Sequence, residues 1–536
     1  MMENTKIKAF DLIKKLNKEG GKIYYENKEI YLKYPKDIEI CPNLINEIKL
    51  NKPELISYFE GFSREDNMQA LDQNKIEAKK IYYGEEEYYH ITPIENYWVD
   101  DSIDREYKQK NKDHGTIKFS YEILGAFDKD VFNRSISFII NRNESLRTTF
   151  HKIDGQYFMK VSEHNIMKST EYIDLRGQII NDSELEKIRK FTEHKFDLSI
   201  GPLLLARLIQ IENEKFILSF NIHHVISDVY SKQIFSRDFL ATYSAFLQNW
   251  QPLLPNLKYQ LKENLFLINK FIETNYNSDK DYWNDLYPNL PEELIIPCSS
   301  KVVNEGAEKI RESEVFYYPD DLLTRMNLIA KKESTSLFVV LQTSFKAYFN
   351  HKTNQSDILF GTYSFGRNFE ISENQIGGFA KTALIRTIVN KEDCFSSMIK
   401  KVKKSNEDMH NYHAFSLMDS IEAKLSPKES LTGSFWRINM HYDDAQGNYL
   451  NKSDYQNITQ KSNLEYKEII DDKNPIIPID MELWFANAID SLELEVVYNS
   501  SLFDSLAIKN FISDYIDFTL KKLKNIDFSQ MLNTPS

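Results

Sequence analysis

The sequence predicts an α/β protein in which a small helix and hairpin unit precedes two lobes of similar layout. Three observations carry this. From residue 81 onward, runs rich in β-branched and aromatic residues ("GTIKFSYEIL", "LLLARLIQI", "FILSFNI") alternate with helical stretches such as "DVFNRSISFIINRNE" and "LEKIRKFTEHKF". A second set in the same order begins near residue 312 with "SEVFYYP", "DDLLTRMNLIAKKE", "STSLFVVLQTSFKAYFNHKT" and "DILFGTYSF", and closes with "LELEVVYNS" and the amphipathic "SLAIKNFISDYIDFTLKKL". Residues 62–80, "FSREDNMQALDQNKIEAKK", are charged and short of large apolar residues, which sets residues 1–61 apart as a unit of their own.

Within that unit, Ala9, Leu12, Ile13 and Leu16 recur at helical spacing and stop at Gly20-Gly21. A hairpin follows: Ile23 and Tyr25 alternate with polar neighbours, "ENK" supplies the turn, and Ile30, Leu32 and Tyr34 resume the alternation. Pro42 starts a helix carrying Leu44, Ile45 and Ile48, and Asn51 before Pro53 starts another. The expected division is 1–61, a linker at 62–80, a first lobe at 81–260, a connection at 261–300 and a second lobe at 301–530.

Composition narrows the function. The 536 residues are 41% hydrophobic, enough for two to four folding units, and carry a formal charge of −13. That balance argues against nucleic acid and anionic membrane as partners, since both favour basic patches. No run approaches the ~18 apolar residues of a membrane span and "MMENTKIKAF" lacks a secretory signal, so a cytoplasmic location is expected. Cys41, Cys298 and Cys394 are widely spaced, which fits buried or half-buried structural thiols better than a disulfide framework or a metal cage.

The feature that asks for chemistry is "NIHHVISDVYS" at 221–231. If the preceding "KFILSFNIHH" is a strand, Leu218, Phe220, Ile222 and His224 share one face while Ile217, Ser219, Asn221 and His223 share the other. The imidazoles then point apart, and no metal is expected because two ligands of one ion must converge. Asp228 follows four residues after His224, where the chain should turn away from the strand.

With these residues on the page the chain resembles the condensation domains of nonribosomal peptide synthetases, members of the chloramphenicol-acetyltransferase-like superfamily. "HHVISDVYS" is similar to their HHxxxDG motif, "RNESLRTTF" (142–150) to RHExLRTxF, and "DYWNDL" (281–286) to a tryptophan-bearing segment between lobes. "ITPIENYWV" (91–99), "DILFGTYSFGR" (357–367), "IGGFAKTALIR" (376–386) and "FWRINMHYDD" (435–444) extend the series in the family's order. Residues 1–61 resemble TubC-like N-terminal docking domains, small α-β-hairpin-α units that receive the tail of a preceding synthetase protein.

The resemblance implies a V-shaped pseudodimer of two chloramphenicol-acetyltransferase-like lobes around a tunnel, acting as an acyltransferase in the biosynthesis of antibiotics and other secondary metabolites. Donor and acceptor carrier proteins would each bring a phosphopantetheine thioester, with no cofactor bound by this chain. It places His224 at the acceptor amine and makes His223 and Asp228 structural members of the catalytic motif. It pairs Asp228 with Arg367 and has Arg142 and Arg147 hold the floor of the site. In the docking unit, Lys22, Lys28, Ile30, Leu32, Lys33 and Tyr34 would meet the C-terminal tail of an upstream synthetase protein. Three residues depart from the pattern: Val229 replaces the motif glycine, Asn143 the histidine of RHE, and Lys381 the asparagine of an NT pair. Val229 is expected to resist a positive φ and to narrow the channel. A CoA-dependent N-acyltransferase and a non-catalytic platform that recruits tailoring enzymes are the alternatives.

Overall fold

The computed structural model describes residues 22–26 and 29–33, positions 45, 48, 49 and 52, and residues 76–96, 99, 115–162, 169–179, 181–191, 194–298, 310–367, 369–425, 436–443, 465–469, 479–487 and 491–524. Of the docking-surface residues, Lys28 and Tyr34 lie outside this set, as do the helix expected at 9–19 and the linker at 62–75.

The first elements are β1 (Lys22–Glu26) and β2 (Glu29–Lys33), an antiparallel hairpin in which Glu26 faces Glu29. The first lobe holds β3 (Ile81–Tyr83), β4 (Glu86–His90), β5 (Thr116–Leu124), α1 (Lys129–Arg142), β6 (Thr148–Ile153), β7 (Gln156–Val161), β8 (Thr170–Asp174), α2 (Asp182–Lys190), β9 (Leu204–Glu212), β10 (Lys215–His223) and α3 (Val229–Leu247). The connection is α4 (Leu261–Leu286). The second lobe follows with β11 (Arg311–Tyr317), α5 (Asp320–Lys332), α6 (Leu337–Thr353), β12 (Asp357–Ser364), β13 (Lys381–Ile388), α7 (Phe395–Asn411), α8 (Leu417–Glu422), β14 (Ile438–Asp443), β15 (Glu465–Ile469), β16 (Met481–Asn487), β17 (Leu492–Asn499) and α9 (Ser505–Lys524).

Each lobe packs helices against a sheet, in the first lobe on both faces. In the first, the five-stranded sheet has the order β15-β5-β10-β9-β8. Phe216, Leu218, Phe220 and Ile222 alternate along β10 and enter a core with Phe132, Phe235, Phe239 and Tyr243 from α1 and α3. Ile217, on the opposite parity, packs with Leu185 and Ile188 of α2. In the second lobe, the order β11-β17-β16-β14-β12-β13 buries Ile358, Phe360, Met440, Leu483, Leu494 and Val496 against helices that include α6 and α9.

Two features change the expected division. β15 comes from the second half of the chain, yet it pairs antiparallel with β5 of the first sheet, Glu465 opposite Leu124. The lobes are therefore tied by main-chain hydrogen bonds across a boundary at 301–530. Most of the connection is one continuous helix, about 39 Å long at ~1.5 Å per residue over its 26 residues. Leu261 and Leu265 at its start belong to the first core, while Trp283 near its end packs with Leu359, Leu384 and Phe415 and donates its indole N–H to the Tyr412 carbonyl at 2.8 Å.

Candidate active site

Strand β10 ends at His223, one residue earlier than the alternation suggested, and His224–Ile226 form a single 3-10 turn. This corrects the placement of His224, whose direction is set by the turn and not by strand parity. The two histidines then have different surroundings. His223, 4% exposed, accepts the Val225 N–H on Nδ1 at 3.1 Å, and its Nε2 would lie 3.3 Å from a Cβ added at Gly115. It packs edge-on against Phe196, ring centroids 5.9 Å apart. His224 is only half-buried; its backbone N–H donates to the Gly115 carbonyl at 2.8 Å and its Nδ1 lies 3.3 Å from the Ser227 carbonyl. A carbonyl only accepts, so that contact puts the proton on Nδ1 and the lone pair on Nε2. Burial lowers the His224 pKa below its ordinary value, against the opposing pull of the Ser227 carbonyl and Asp228, which keeps the ring neutral near pH 7.

Asp228 ends the turn and caps α3, as a short acceptor side chain does at an N-cap. At 2% exposed it is fully engaged. Oδ1 accepts the Ser231 N–H at 2.6 Å and Arg367 Nη2 at 3.1 Å; Oδ2 accepts the N–H groups of Phe379 at 3.1 Å and Ala380 at 3.2 Å. Arg367 in turn donates to the carbonyls of Ser372 at 2.5 Å and Gln375 at 2.8 Å and to Ser231 Oγ at 2.8 Å, with its guanidinium over the rings of Tyr230 and Phe379. The capping aspartate of the first lobe and the segment joining β12 to β13 of the second therefore form one knot. Ser231, Gln375, Phe379 and Ala380 belong to it and were not singled out in the sequence. Ser231 had a signal, three residues after an N-cap aspartate; the backbone donors had none.

Two glycines let the segment approach. A Cβ at Gly378 would overlap the His224 carbonyl oxygen, and Gly366, at φ +63°, has the Phe379 carbonyl oxygen where a Cβ would stand.

Arg142 and Arg147 depart from the expected floor of the site. Arg142 donates to the Pro255 carbonyl and sits 3.5 Å from Asp238 of α3, while Arg147 donates to the Ser162 carbonyl at 2.5 Å and lies 3.7 Å from Glu144. Arg142, the last residue of α1, braces that helix against α3 and the approach to α4, while Arg147, in the bend after it, ties the bend to the end of β7. Asn143 closes the same helix end, donating to the Ile139 carbonyl at 2.9 Å. Val229 is corrected too: it is the first residue of α3, with helical and so negative φ, and it is 58% exposed. Lys381 opens β13, and its ammonium donates to the His413 carbonyl at 3.3 Å; burial lowers its pKa.

In the docking unit, Lys22, Ile30, Leu32 and Lys33 lie on the paired strands of the hairpin, with Leu32 half-buried. Cys298 is half-buried, but Cys394 is exposed, unlike the structural thiol expected there. Among the described residues no group of three His, Cys, Asp or Glu side chains could hold a metal, and no helix is long and apolar enough to cross a membrane.

Comparison with known proteins follows the same lines. The condensation-domain family model matches residues 106–530. A linear gramicidin synthase of Brevibacillus parabrevis is 25% identical over 462 residues, which cover 84% of this chain and 8% of that protein. The chain thus spans less than a tenth of such relatives. The X-domain from teicoplanin biosynthesis superposes with a TM-score of 0.64 at 14% identity, covering 80% of this chain and 94% of that one. The first condensation domain of the calcium-dependent antibiotic synthetase, in complex with a substrate analogue, gives 0.60 at 12% identity over 82% and 97%. At these identities the likeness carries the fold, a two-lobed chloramphenicol-acetyltransferase-like arrangement.

Proposed function

We propose, from the premise that this chain belongs to the condensation-domain family, that it forms an amide bond between a donor acyl or peptidyl thioester and the amine of an acceptor aminoacyl thioester. Both substrates would be carried on the phosphopantetheine arms of partner carrier proteins during cytoplasmic nonribosomal peptide biosynthesis, with no cofactor held by this chain. The single observation that supports the reading is His224: half-exposed, neutral, and oriented by the Ser227 carbonyl so that Nε2 keeps its lone pair.

The acceptor amine attacks the donor carbonyl carbon, forming the C–N bond and a tetrahedral species. The surplus amine proton passes to Nε2 of His224, the C–S bond breaks, and the departing thiolate takes that proton back from the imidazolium, which restores the neutral ring. A positioned imidazole contributes typically ~10²–10⁴-fold. An α-amine with a pKa of about 7.7–8.0 is already partly neutral at pH 7, so positioning of the nucleophile carries part of that factor. His223 and the Asp228–Arg367 pair act through His224 by fixing the turn that presents it.

The β1–β2 hairpin supports a docking role for the N-terminal unit. Its strands pair only with each other among the described residues, so an outer edge can accept an extended tail of an upstream synthetase protein by strand addition. Lys22, Lys28 and Lys33 would favour an acidic tail.

The test is amide formation followed by intact-protein mass spectrometry, with the same acyl group offered on a carrier protein and on CoA. Product from the carrier at far lower donor concentration is expected. Equal use of acyl-CoA would replace the reading with that of a CoA-dependent N-acyltransferase.

A further inference from the structure

Along β12, the side chains that face away from the second-lobe core form a lane of aromatic rings leading toward Arg367. Gly361 lets neighbours lie on the strand, since a Cβ there would overlap Asn439 Oδ1 and stand 3.0 Å from Trp436 Nε1. Tyr363 comes next and stacks on His441 of β14, ring centroids 4.3 Å apart and planes at 8°; His441 packs against Trp484 of β16 at 4.1 Å with the planes tilted by 36°. Phe365, one residue past the end of β12, lies 6.1 Å from the ring of Tyr230 in α3. Two residues later Arg367 spans Tyr230 and Asp228.

Two properties separate this lane from a cross-strand stack that merely holds a sheet together. The first is exposure. Tyr363 is 41% exposed, Phe365 56% and Val229 58%, so three large apolar side chains near the Arg367 knot or the turn after His224 meet solvent. Exposed apolar side chains clustered beside a site are unfavourable in water and mark ligand contacts. The second is charge. Glu482, on the same sheet face, accepts the Trp484 indole N–H at 3.1 Å and lies 3.9 Å from Arg311, so beside the rings the charges offset one another. His441 is 5% exposed, and burial lowers its pKa to about 3. What the lane presents is aromatic and uncharged.

We propose that this lane seats the side chain of one thioester-bound building block, and that this side chain is an uncharged aromatic ring. The proposal rests on the amide-forming reading above. Phe365 and Tyr363 stand two and four residues before Arg367, at most ~7 and ~14 Å along an extended chain, which keeps Phe365 close to the Arg367–Asp228 pair that fixes the His224 turn, on the scale of a phenylalanine-sized side chain. Val229, standing where the resemblance has glycine, adds apolar surface at the entrance.

The test compares phenylalanyl- and alanyl-pantetheine amides, which cannot react, by calorimetry on the full chain. The phenylalanyl compound should bind at least about tenfold tighter, the scale of burying and stacking one ring. In Phe365→Ala and in Tyr363→Leu the ratio of the two affinities should fall to about threefold or less. A parent chain without preference, or a preference that survives both substitutions, overturns the proposal. The readout is binding, so the two readings separate: a chain that prefers the ring yet forms no amide keeps the lane and loses the reaction, and a chain that forms amides without preference does the reverse.

Discussion

Replacing Asp228 by Asn keeps the shape of the side chain and removes its charge where four donors converge. The carboxylate accepts from Ser231, Arg367, Phe379 and Ala380 at 2.6–3.2 Å. An amide has one oxygen, so it retains two of these bonds and turns an NH₂ group toward the other two donors. Two charge-assisted bonds at about 1.5–3 kcal/mol each give a loss of ~3–6 kcal/mol. That agrees with the ~3–5 kcal/mol typical of a buried pair broken from one side, and the pair is buried, with side-chain exposures of 6% and 3%. At about 2–4 °C per kcal/mol for a lobe-sized unit, a loss of ~3–5 kcal/mol lowers the melting midpoint by roughly 6–20 °C. The assay is thermal unfolding by circular dichroism, paired with amide formation measured well below both midpoints. Activity should follow stability. A variant that melts with the parent yet forms no amide would refute the reasoning and make the carboxylate a participant in the reaction.

Three further outcomes follow from the geometry. Gly378→Ala forces a methyl into the His224 carbonyl, a contact with backbone that only a shift of the segment relieves; amide formation should drop at least tenfold with a stability loss of about 1–3 kcal/mol, and an unchanged rate would show that the approach is dispensable. For pH, the depressed His224 pKa means that the neutral ring persists below the ordinary imidazole value, so the acid limb of kcat/KM should lie below about pH 6.5; a limb at or above it contradicts the buried setting. His441 is held neutral to about pH 3 in the fold, so the unfolded chain binds the extra proton between about pH 6.5 and 3, and stability falls as pH drops through that window. His441→Phe should make the slope of unfolding free energy against pH shallower by up to about 1.4 kcal/mol per unit, and identical slopes would mean that the ring is protonated in place.

Much of the architecture was legible because its signals are local. β5, β9 and β10 each read as apolar runs of strand length, and α1, α5, α6 and α9 as helical stretches, whereas α4 was not read as a helix although Glu263 accepts the Gln260 N–H at 2.9 Å in a capping box. The pairing of Asp228 with Arg367 spans 139 positions, and only the motif resemblance brought those residues together. β15 could not be read: "EYKEI" is short and charged, and its strand character comes from the edge of β5, which no neighbour in sequence announces. The parity argument went one residue too far because a strand has no intrinsic stop, and the Gly115 carbonyl that takes the His224 N–H lies across the sheet. Arg142 and Arg147 were placed at the floor by motif alone, whereas Arg142 finds its partners Asp238 and Pro255 far along the chain and Arg147 meets Ser162 after the β6–β7 hairpin.

The central claim, that His224 presents a neutral Nε2 to the acceptor amine, is tested most directly by single-turnover amide formation between a loaded donor and a loaded acceptor carrier, comparing the parent with His224→Ala and His223→Ala. The account predicts at least ~10²-fold slower product formation for His224→Ala with an unchanged melting midpoint, and a lowered midpoint for His223→Ala, whose ring holds the Val225 N–H and fills the space beside Gly115. Parent-like turnover in His224→Ala, or equal losses of activity in two fully folded variants, would contradict it.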